Sequence, residues 1–156
     1  MTILNIQMKL KELLYNHCQL FIDNRFKTIQ NTINEIQDSL TTETKSSAGD
    51  KHETGRAMLQ LEREKAGQQL AEIQKVNHIL SKIDISKSSE IVTLGSIVYT
   101  TQANYFVAIS AGEVTVENEK FYAISAITPI AQLIIGKQKG ELISFRNLEF
   151  EITKVV

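Results

Sequence analysis

The chain has 156 residues, 42% of them apolar, and a formal net charge of −1 at pH 7, which suits one or two small domains with an apolar core. Near-neutral charge argues against nucleic-acid binding through a basic excess alone, because neutralising phosphates requires an excess of Lys and Arg. The single cysteine excludes an intramolecular disulfide and a cysteine-rich zinc site, and we interpret Cys18 as a small buried apolar residue.

The first predicted element is a long helix from about Ile6 to Leu40. Its apolar residues step by three or four and form one stripe, in which Ile22, Ile29 and Ile36 fall seven apart. No Pro or Gly interrupts the pattern. At 1.5 Å per residue such a helix is about 50 Å long, which is long for a globular helix and typical of a coiled coil.

A polar segment from Thr41 to Gly49 is rich in Thr, Ser, Ala and Gly, and it predicts a turn. A second helix with heptad-spaced apolar residues is predicted from Asp50 to about Ile83. Together the two helices predict an antiparallel hairpin with its tip near residues 45–56. Asp50 suits an N-cap, with Glu53 three residues on as in a capping box. A functional role for exposed tip carboxylates is compatible with that interpretation.

A polar linker from Asp84 to Glu90 separates helical periodicity from alternating periodicity. Short β-type runs follow it, at residues 91–94, 97–100, 105–109, 114–116, 121–124, 142–145 and 150–155. Thr128 and Pro129 begin a short helix that Gly136 ends. The predicted class is α+β: an antiparallel helical hairpin, 1–84, followed by a small, mostly antiparallel sheet domain with one short helix, 85–156.

Basic residues gather near the tip end of the hairpin, and neighbouring acidic residues balance them. One interpretation is a solvated helix face. The other is contact with RNA phosphates close to the tip, for which the candidates are Lys51, Arg56 and Arg63. Asp50 and Glu53 are too few to hold Mg²⁺ alone, because this ion prefers near-octahedral oxygen coordination. A partner would have to supply the remaining ligands.

Three features carry a resemblance that covers the whole chain: the layout of hairpin, linker and sheet domain, and two motifs. At the tip, Gly49-Asp50-Lys51-His52-Glu53 matches a pattern of Gly-Asp, two variable residues and Glu. Near the C-terminus, the signature segment, residues 128–137, reads Thr-Pro-Ile-Ala-Gln-Leu-Ile-Ile-Gly-Lys and continues into Gly140-Glu141. In these features the chain resembles the bacterial Gre-type transcript cleavage factors, transcription elongation factors that bind RNA polymerase.

The resemblance implies an FKBP-like C-terminal domain that docks on RNA polymerase near its secondary channel. The residues it assigns to polymerase binding are Thr128, Pro129, Ile130, Gly136 and Lys137. The coiled coil would enter the channel, where Asp50 and Glu53 would help to bind a catalytic Mg²⁺ and a water. The polymerase would then cut the 3′ end of backtracked RNA by two-metal chemistry. The free protein is therefore expected to hold no cofactor and to be no enzyme by itself.

The chain departs from the family after the tip acids. The family usually has Asn-Ala-Glu-Tyr there, whereas this chain has Thr54, Gly55, Arg56 and Ala57. A Gre-like paralogue that occupies the channel and modulates or inhibits the polymerase without cleavage therefore stays open. A plain coiled-coil assembly module is a further alternative, and a prolyl isomerase, which needs an apolar, aromatic-lined pocket, is a remote one.

Location and oligomeric state follow from simpler patterns. No apolar run approaches the ~18 residues of a membrane span, and the N-terminus lacks the pattern of a secretory signal. The sequence therefore predicts a cytoplasmic protein that binds no membrane, and we expect a monomer.

Overall fold

The structure is a computed structural model that describes residues 2–45 and 49–156, with side chains described outside residues 43–52. The chain forms two compact units. One is Ile22–Asn77, and the other combines Met1–Phe21 with His78–Val156. One uninterrupted helix therefore contributes residues to both units. The predicted domain boundary between residues 84 and 85 stays a prediction.

Two long helices open the chain, which confirms the predicted helical hairpin. They are α1, Ile3–Lys45, and α2, Gly49–Ser81. The predicted turn began too early, because residues 41–45 are helical. Thr41 and Thr42 fit the helix since their hydroxyls donate to the carbonyl oxygens of Gln37 and Asp38, at 3.0 and 3.1 Å. Gly49, the last residue of the predicted turn, is also helical, and residues 46–48 lie outside the described residues.

The unit Ile22–Asn77 is held together by one apolar stripe on each helix. Since this unit contains only helical segments in its described part, the two stripes cover each other. Phe26, predicted in the same stripe, lies at its edge and is 36% exposed. The buried residues are Ile22, Ile29, Ile33 and Ile36 from α1, and Ala66 and Ile73 from α2.

The other unit carries a six-stranded sheet and a short helix, which confirms the α+β class. Its strand order is β3-β4-β2-β1-β6-β5, and every neighbouring pair is antiparallel except β2 and β4. The FKBP-like character implied by the resemblance stays a prediction. The elements are β1, Ile97–Thr100; β2, Asn104–Ala108; β3, Gly112–Val116; β4, Glu119–Ser125; α3, Pro129–Ile134; β5, Leu142–Phe145; and β6, Leu148–Val155.

The predicted strand at residues 91–94 is wrong. Ile91 forms only an isolated bridge with Gln138. The chain then turns, because Gly95 takes a left-handed φ of 92° and Ser96 N–H donates to the carbonyl oxygen of Thr93 at 3.0 Å. Regular strand geometry begins only at Ile97.

Two tight hairpins set the register at the ends of the sheet. Glu117 and Asn118 join β3 to β4, and Arg146 and Asn147 join β5 to β6. All four residues have φ between 50° and 67°. Two consecutive left-handed residues match the right-handed twist of the flanking strands, and Asn tolerates this conformation better than most residues.

Residues of two helices, α3 and α1, contribute to the core of this unit. Ala131 and Ile134 of α3 are fully buried, as are Leu14 and Cys18 of α1. His17 Nε2 lies 3.0 Å from the carbonyl oxygen of Ala111 and donates to it. The central apolar cluster consists of Val92, Val98, Val107, Ile134, Ile143, Phe150 and Ile152.

Burial governs the chemistry of Cys18. Its side chain is fully buried, which confirms the interpretation of Cys18 as a buried apolar residue. Desolvation raises the pKa of the thiol to about 11, although a hydrogen bond with the backbone of Ile109 acts in the opposite direction. The thiolate is therefore disfavoured in the folded protein, and the residue serves packing.

No helix in residues 2–45 and 49–156 is long and apolar enough to cross a membrane.

We expect Cys18 to react very slowly with a thiol reagent. A pKa of about 11 instead of 9.0 lowers the thiolate fraction at pH 8 about 100-fold, and burial adds a steric barrier. The rate of disulfide exchange with an aromatic disulfide reagent, followed by absorbance, should be at least 100-fold lower in the native protein than in urea. Native labelling within tenfold of the unfolded rate would contradict the burial of this thiol.

Leu14→Ala should destabilise the sheet-bearing unit although Leu14 lies in the first helix. Removing a fully buried Leu side chain costs about 2–5 kcal/mol. The matched control is Leu13→Ala, because Leu13 is 44% exposed and should lose less than about 0.5 kcal/mol. Urea unfolding followed by the near-ultraviolet circular dichroism of the tyrosines measures both. Equal stability losses in the two variants would show that Leu14 is not part of this core.

Candidate functional site

The tip acids lie at the start of α2. This helix begins at Gly49, so Asp50 lies inside the first turn instead of preceding it as predicted. A carboxylate in the first turn of a helix is still favoured by the helix dipole. The Glu53 side chain is exposed. The side chains of Asp50 and Lys51 lie outside the described residues, and so does the predicted capping contact.

The spacing of Asp50 and Glu53 is what makes them a candidate cation site. Residues three apart on an α-helix lie on the same face, with Cβ atoms roughly 5–6 Å apart. Two carboxylates at that separation fit part of a Mg²⁺ coordination shell. Among the described residues there is no group of three or more His, Cys, Asp or Glu side chains that could hold a metal ion. Oxygen ligands from outside the chain would have to complete the shell.

Two of the basic residues predicted to contact RNA phosphates, Arg56 and Arg63, lie at different distances from the tip acids along α2. Arg56 lies one helical turn after Glu53 and is half-buried. Arg63 is ten residues after Glu53, which corresponds to roughly 15 Å along the helix. The Arg63 side chain is also half-buried and lies against the helix surface at Gly67. Of the two, Arg56 is therefore the one that lies next to the tip acids.

The signature segment, residues 128–137, is shaped by backbone hydrogen bonds. Thr128 occupies the predicted N-cap position of α3 and Pro129 follows it, but the Thr128 hydroxyl donates back to the carbonyl oxygen of Ser125 at 2.8 Å. Gly136 has a left-handed φ of 85°. The N–H of Gly136 donates to the carbonyl oxygen of Val92 at 2.8 Å. The N–H of Val92 in turn donates to the carbonyl oxygen of Lys137, also at 2.8 Å. This reciprocal pair fixes the end of the segment.

The predicted polymerase-binding residues divide by exposure. Pro129, Gly136 and Lys137 are exposed, whereas Thr128 and Ile130 are half-buried. Ile130 packs against the core cluster. The exposed members are therefore available to a partner, and the half-buried members hold the segment in place.

Sequence reasoning missed Ile127, which is 82% exposed. An apolar residue just before an N-cap usually packs against the fourth helical residue. That residue here is Gln132, so Ile127 has no apolar staple partner at that position. This mismatch was visible in the sequence. Together with Leu133, which is 38% exposed, Ile127 adds apolar surface to the signature segment.

Comparisons with known proteins are sparse. No family model matches this chain, and no curated protein matches it. A solved structure of the transcription factor Gfh1 aligns with 90% of this chain and 92% of that chain, with 18% identical residues and a TM-score of 0.34. A likeness at that TM-score and identity assigns neither a family nor a function to this chain.

Gly136→Ala should weaken the sheet-bearing unit through the backbone alone. No atom lies within 4 Å of the added methyl group, but φ is +85°, and a left-handed conformation costs a residue with a side chain about 1–2 kcal/mol. Gly67→Ala is the control, and it is expected to change the stability in the opposite direction. Gly67 lies inside α2 and its new methyl group would meet only the flexible end of Arg63, so the exchange should stabilise by about 0.5–1 kcal/mol. Urea unfolding of both variants measures the effects, and a Gly136→Ala variant as stable as wild type would show that this turn does not need the left-handed backbone.

Proposed function

We propose that this protein is a Gre-like transcription elongation factor that binds RNA polymerase and stimulates cleavage of backtracked RNA. The observation that carries the proposal is the position of Asp50 and Glu53 at the start of α2, where the second helix of the hairpin begins. The 33 residues of α2 span roughly 50 Å. A helical pair of that length suits the delivery of two carboxylates into a deep channel.

The chemistry follows from what two carboxylates can do. On one helix face they supply some of the oxygen ligands of a Mg²⁺ ion, while the polymerase and the RNA supply the others. With two metal ions bound in such a site, one would generate the nucleophile from a bound water and the other would stabilise the leaving oxygen. The protein's own contribution is to complete the metal shell and to position the water. It is therefore an accessory to the nuclease activity of the polymerase, with no cofactor of its own.

Docking is proposed for the signature segment. Its backbone is fixed by the bonds between residues 92 and 136–137 and by the turn at Thr128. Pro129 and Lys137 of this segment are exposed, and so is Ile127, which directly precedes it. Exposed apolar and charged residues on one segment suit a protein partner, because interfaces combine an apolar centre with a polar edge.

One observation favours a second candidate, a factor that occupies the channel and modulates the polymerase without cleavage. Arg56 follows Glu53 by three residues, where the Gre-type family has an acid. A cation one turn away competes with a metal ion for the Glu53 carboxylate. Ala57 also removes the aromatic ring that the family has next to that position. A weakened metal site combined with intact docking would give binding without cleavage.

The test is RNA cleavage in a stalled, backtracked elongation complex of the cognate polymerase. Wild type should shorten the RNA from its 3′ end. Asp50→Ala/Glu53→Ala should bind the polymerase with unchanged affinity and lower the cleavage rate on the order of 10²-fold, the usual loss when groups that act on the transition state are removed. Glu62→Ala/Glu64→Ala removes the same charge from exposed positions further along α2 and should cleave like wild type.

The other possible results of this experiment distinguish between the candidate functions. If wild type binds without cleavage and Arg56→Glu gains cleavage, the modulator is the correct assignment. If both double variants lose cleavage equally, the net charge of the hairpin acts and not the tip acids. If the protein does not bind the polymerase, both candidates are wrong.

A further inference from the structure

A polar cleft of about 270 Å³ lies in the unit formed by residues 1–21 and 78–156. None of the residues that line it belongs to the tip at residues 45–56. Its wall comes from three places in the chain: α1, the linker after α2, and the turn before β1. The linker side also provides hydroxyl groups at Ser88 and Ser89, and the turn provides that of Thr93. The charged residues that line the cleft are Lys11, Lys82, Asp84 and Lys87.

Lys11 is an unusual lining residue because it is only 4% exposed. Its Nζ donates to the carbonyl oxygen of Lys87 at 2.8 Å. Among the described residues no carboxylate lies within ion-pair distance of Lys11, and an ammonium group has three N–H donors. Buried cations are normally paired, since desolvation of an uncompensated charge is costly. This burial lowers the pKa of Lys11, and only the more distant charge of Asp84 opposes the shift.

The cleft has an excess of positive charge, with three lysines against one carboxylate. That carboxylate is already engaged, because Asp84 Oδ1 accepts hydrogen bonds from the N–H and the hydroxyl of Ser86, at 3.0 and 2.5 Å. These bonds lower the pKa of Asp84, so it stays ionised without contacting Lys11. In the described part of the chain the backbone N–H groups of Ser88 and Leu94 also donate to no protein acceptor.

We propose that this cleft is a binding site for a small molecule that carries a phosphoryl group, with Lys11 as the buried cation that the phosphoryl oxygens neutralise. Lys82 and Lys87 provide further positive charge at its edge, and the hydroxyls of Ser88 and Thr93 provide neutral donors. Clustered ammonium, hydroxyl and backbone N–H donors form the set that recognises an oxyanion with several acceptor oxygens.

The size of the cleft narrows the ligand class. At about 270 Å³ it is just below the ~300 Å³ at which small-molecule sites begin. That volume holds a phosphoryl group with a compact substituent and excludes a large cofactor. Inorganic phosphate and a small phosphate ester share this chemistry, so the experiment must separate them. The inference is independent of the proposed polymerase activity, because no cleft residue belongs to the tip or to the signature segment.

Calorimetric titration of the full-length protein tests the site, with inorganic phosphate, glycerol phosphate and a nucleoside diphosphate as probes and chloride at matched ionic strength as the blank. Wild type should bind at least one phosphate probe saturably. Lys11→Met keeps the volume of the side chain but removes the ammonium, and it should weaken binding at least tenfold. Lys87→Ala should weaken binding severalfold while leaving the backbone oxygen that holds Lys11. Lys9→Met, two positions away on an exposed part of α1, should bind like wild type.

The probes assign the source of the phosphoryl group. Tighter binding of an ester than of inorganic phosphate would show that its substituent contacts the cleft, whereas equal binding would assign the site to free phosphate. Phosphate should also raise the melting temperature of wild type and of Lys9→Met but not of Lys11→Met. The proposal is overturned if no probe binds saturably at millimolar concentration, or if folded Lys11→Met binds like wild type.

Discussion

The structure depends on the burial of the segment of α1 around Leu14 and Cys18 in the sheet-bearing unit. Leu14 and Cys18 are fully buried there, and full burial of a Leu side chain contributes about 1.5–3 kcal/mol. Lys11 and His17 add hydrogen bonds to backbone carbonyls that are 76 and 94 residues away in sequence. Since α1 continues without interruption into the unit Ile22–Asn77, one helix supplies part of the core of both units.

The two units use different means to hold their functional residues. The hairpin has a buried apolar stripe on each helix, and Glu53 is exposed outside that stripe. The other unit fixes the signature segment through backbone pairing at Val92 and a left-handed glycine. The tip residue Glu53 thus lies on a regular helix, whereas the position of the signature segment depends on one irregular turn.

Much of this architecture was predictable because local patterns encode it. Heptad spacing predicted the helical hairpin, and the strands predicted on either side of residues 117–118 and 146–147 form two β-hairpins. Prediction from local sequence patterns fails where a structure depends on residues that are distant in sequence. Residues 91–94 have the β-branched composition of a strand, but the turn at Gly95 ends the segment before regular strand pairing begins. Periodicity shows that the stripe of α1 is covered but cannot show what covers it. The cleft around Lys11 was invisible for the same reason, since its walls lie some 70 residues apart in sequence.

The distance in sequence between Cys18 and its hydrogen-bond partner Ile109 also has a consequence for synthesis on the ribosome. Cys18 and His17 of α1 are made early, whereas Ile109 and Ala111, with which they form hydrogen bonds, are made about 90 residues later. At 5–20 residues per second this delay lasts roughly 5–20 s. During that interval the part of the apolar face that carries Cys18 lacks this native contact. Premature association of that face is therefore the hazard that the order of synthesis imposes on this chain.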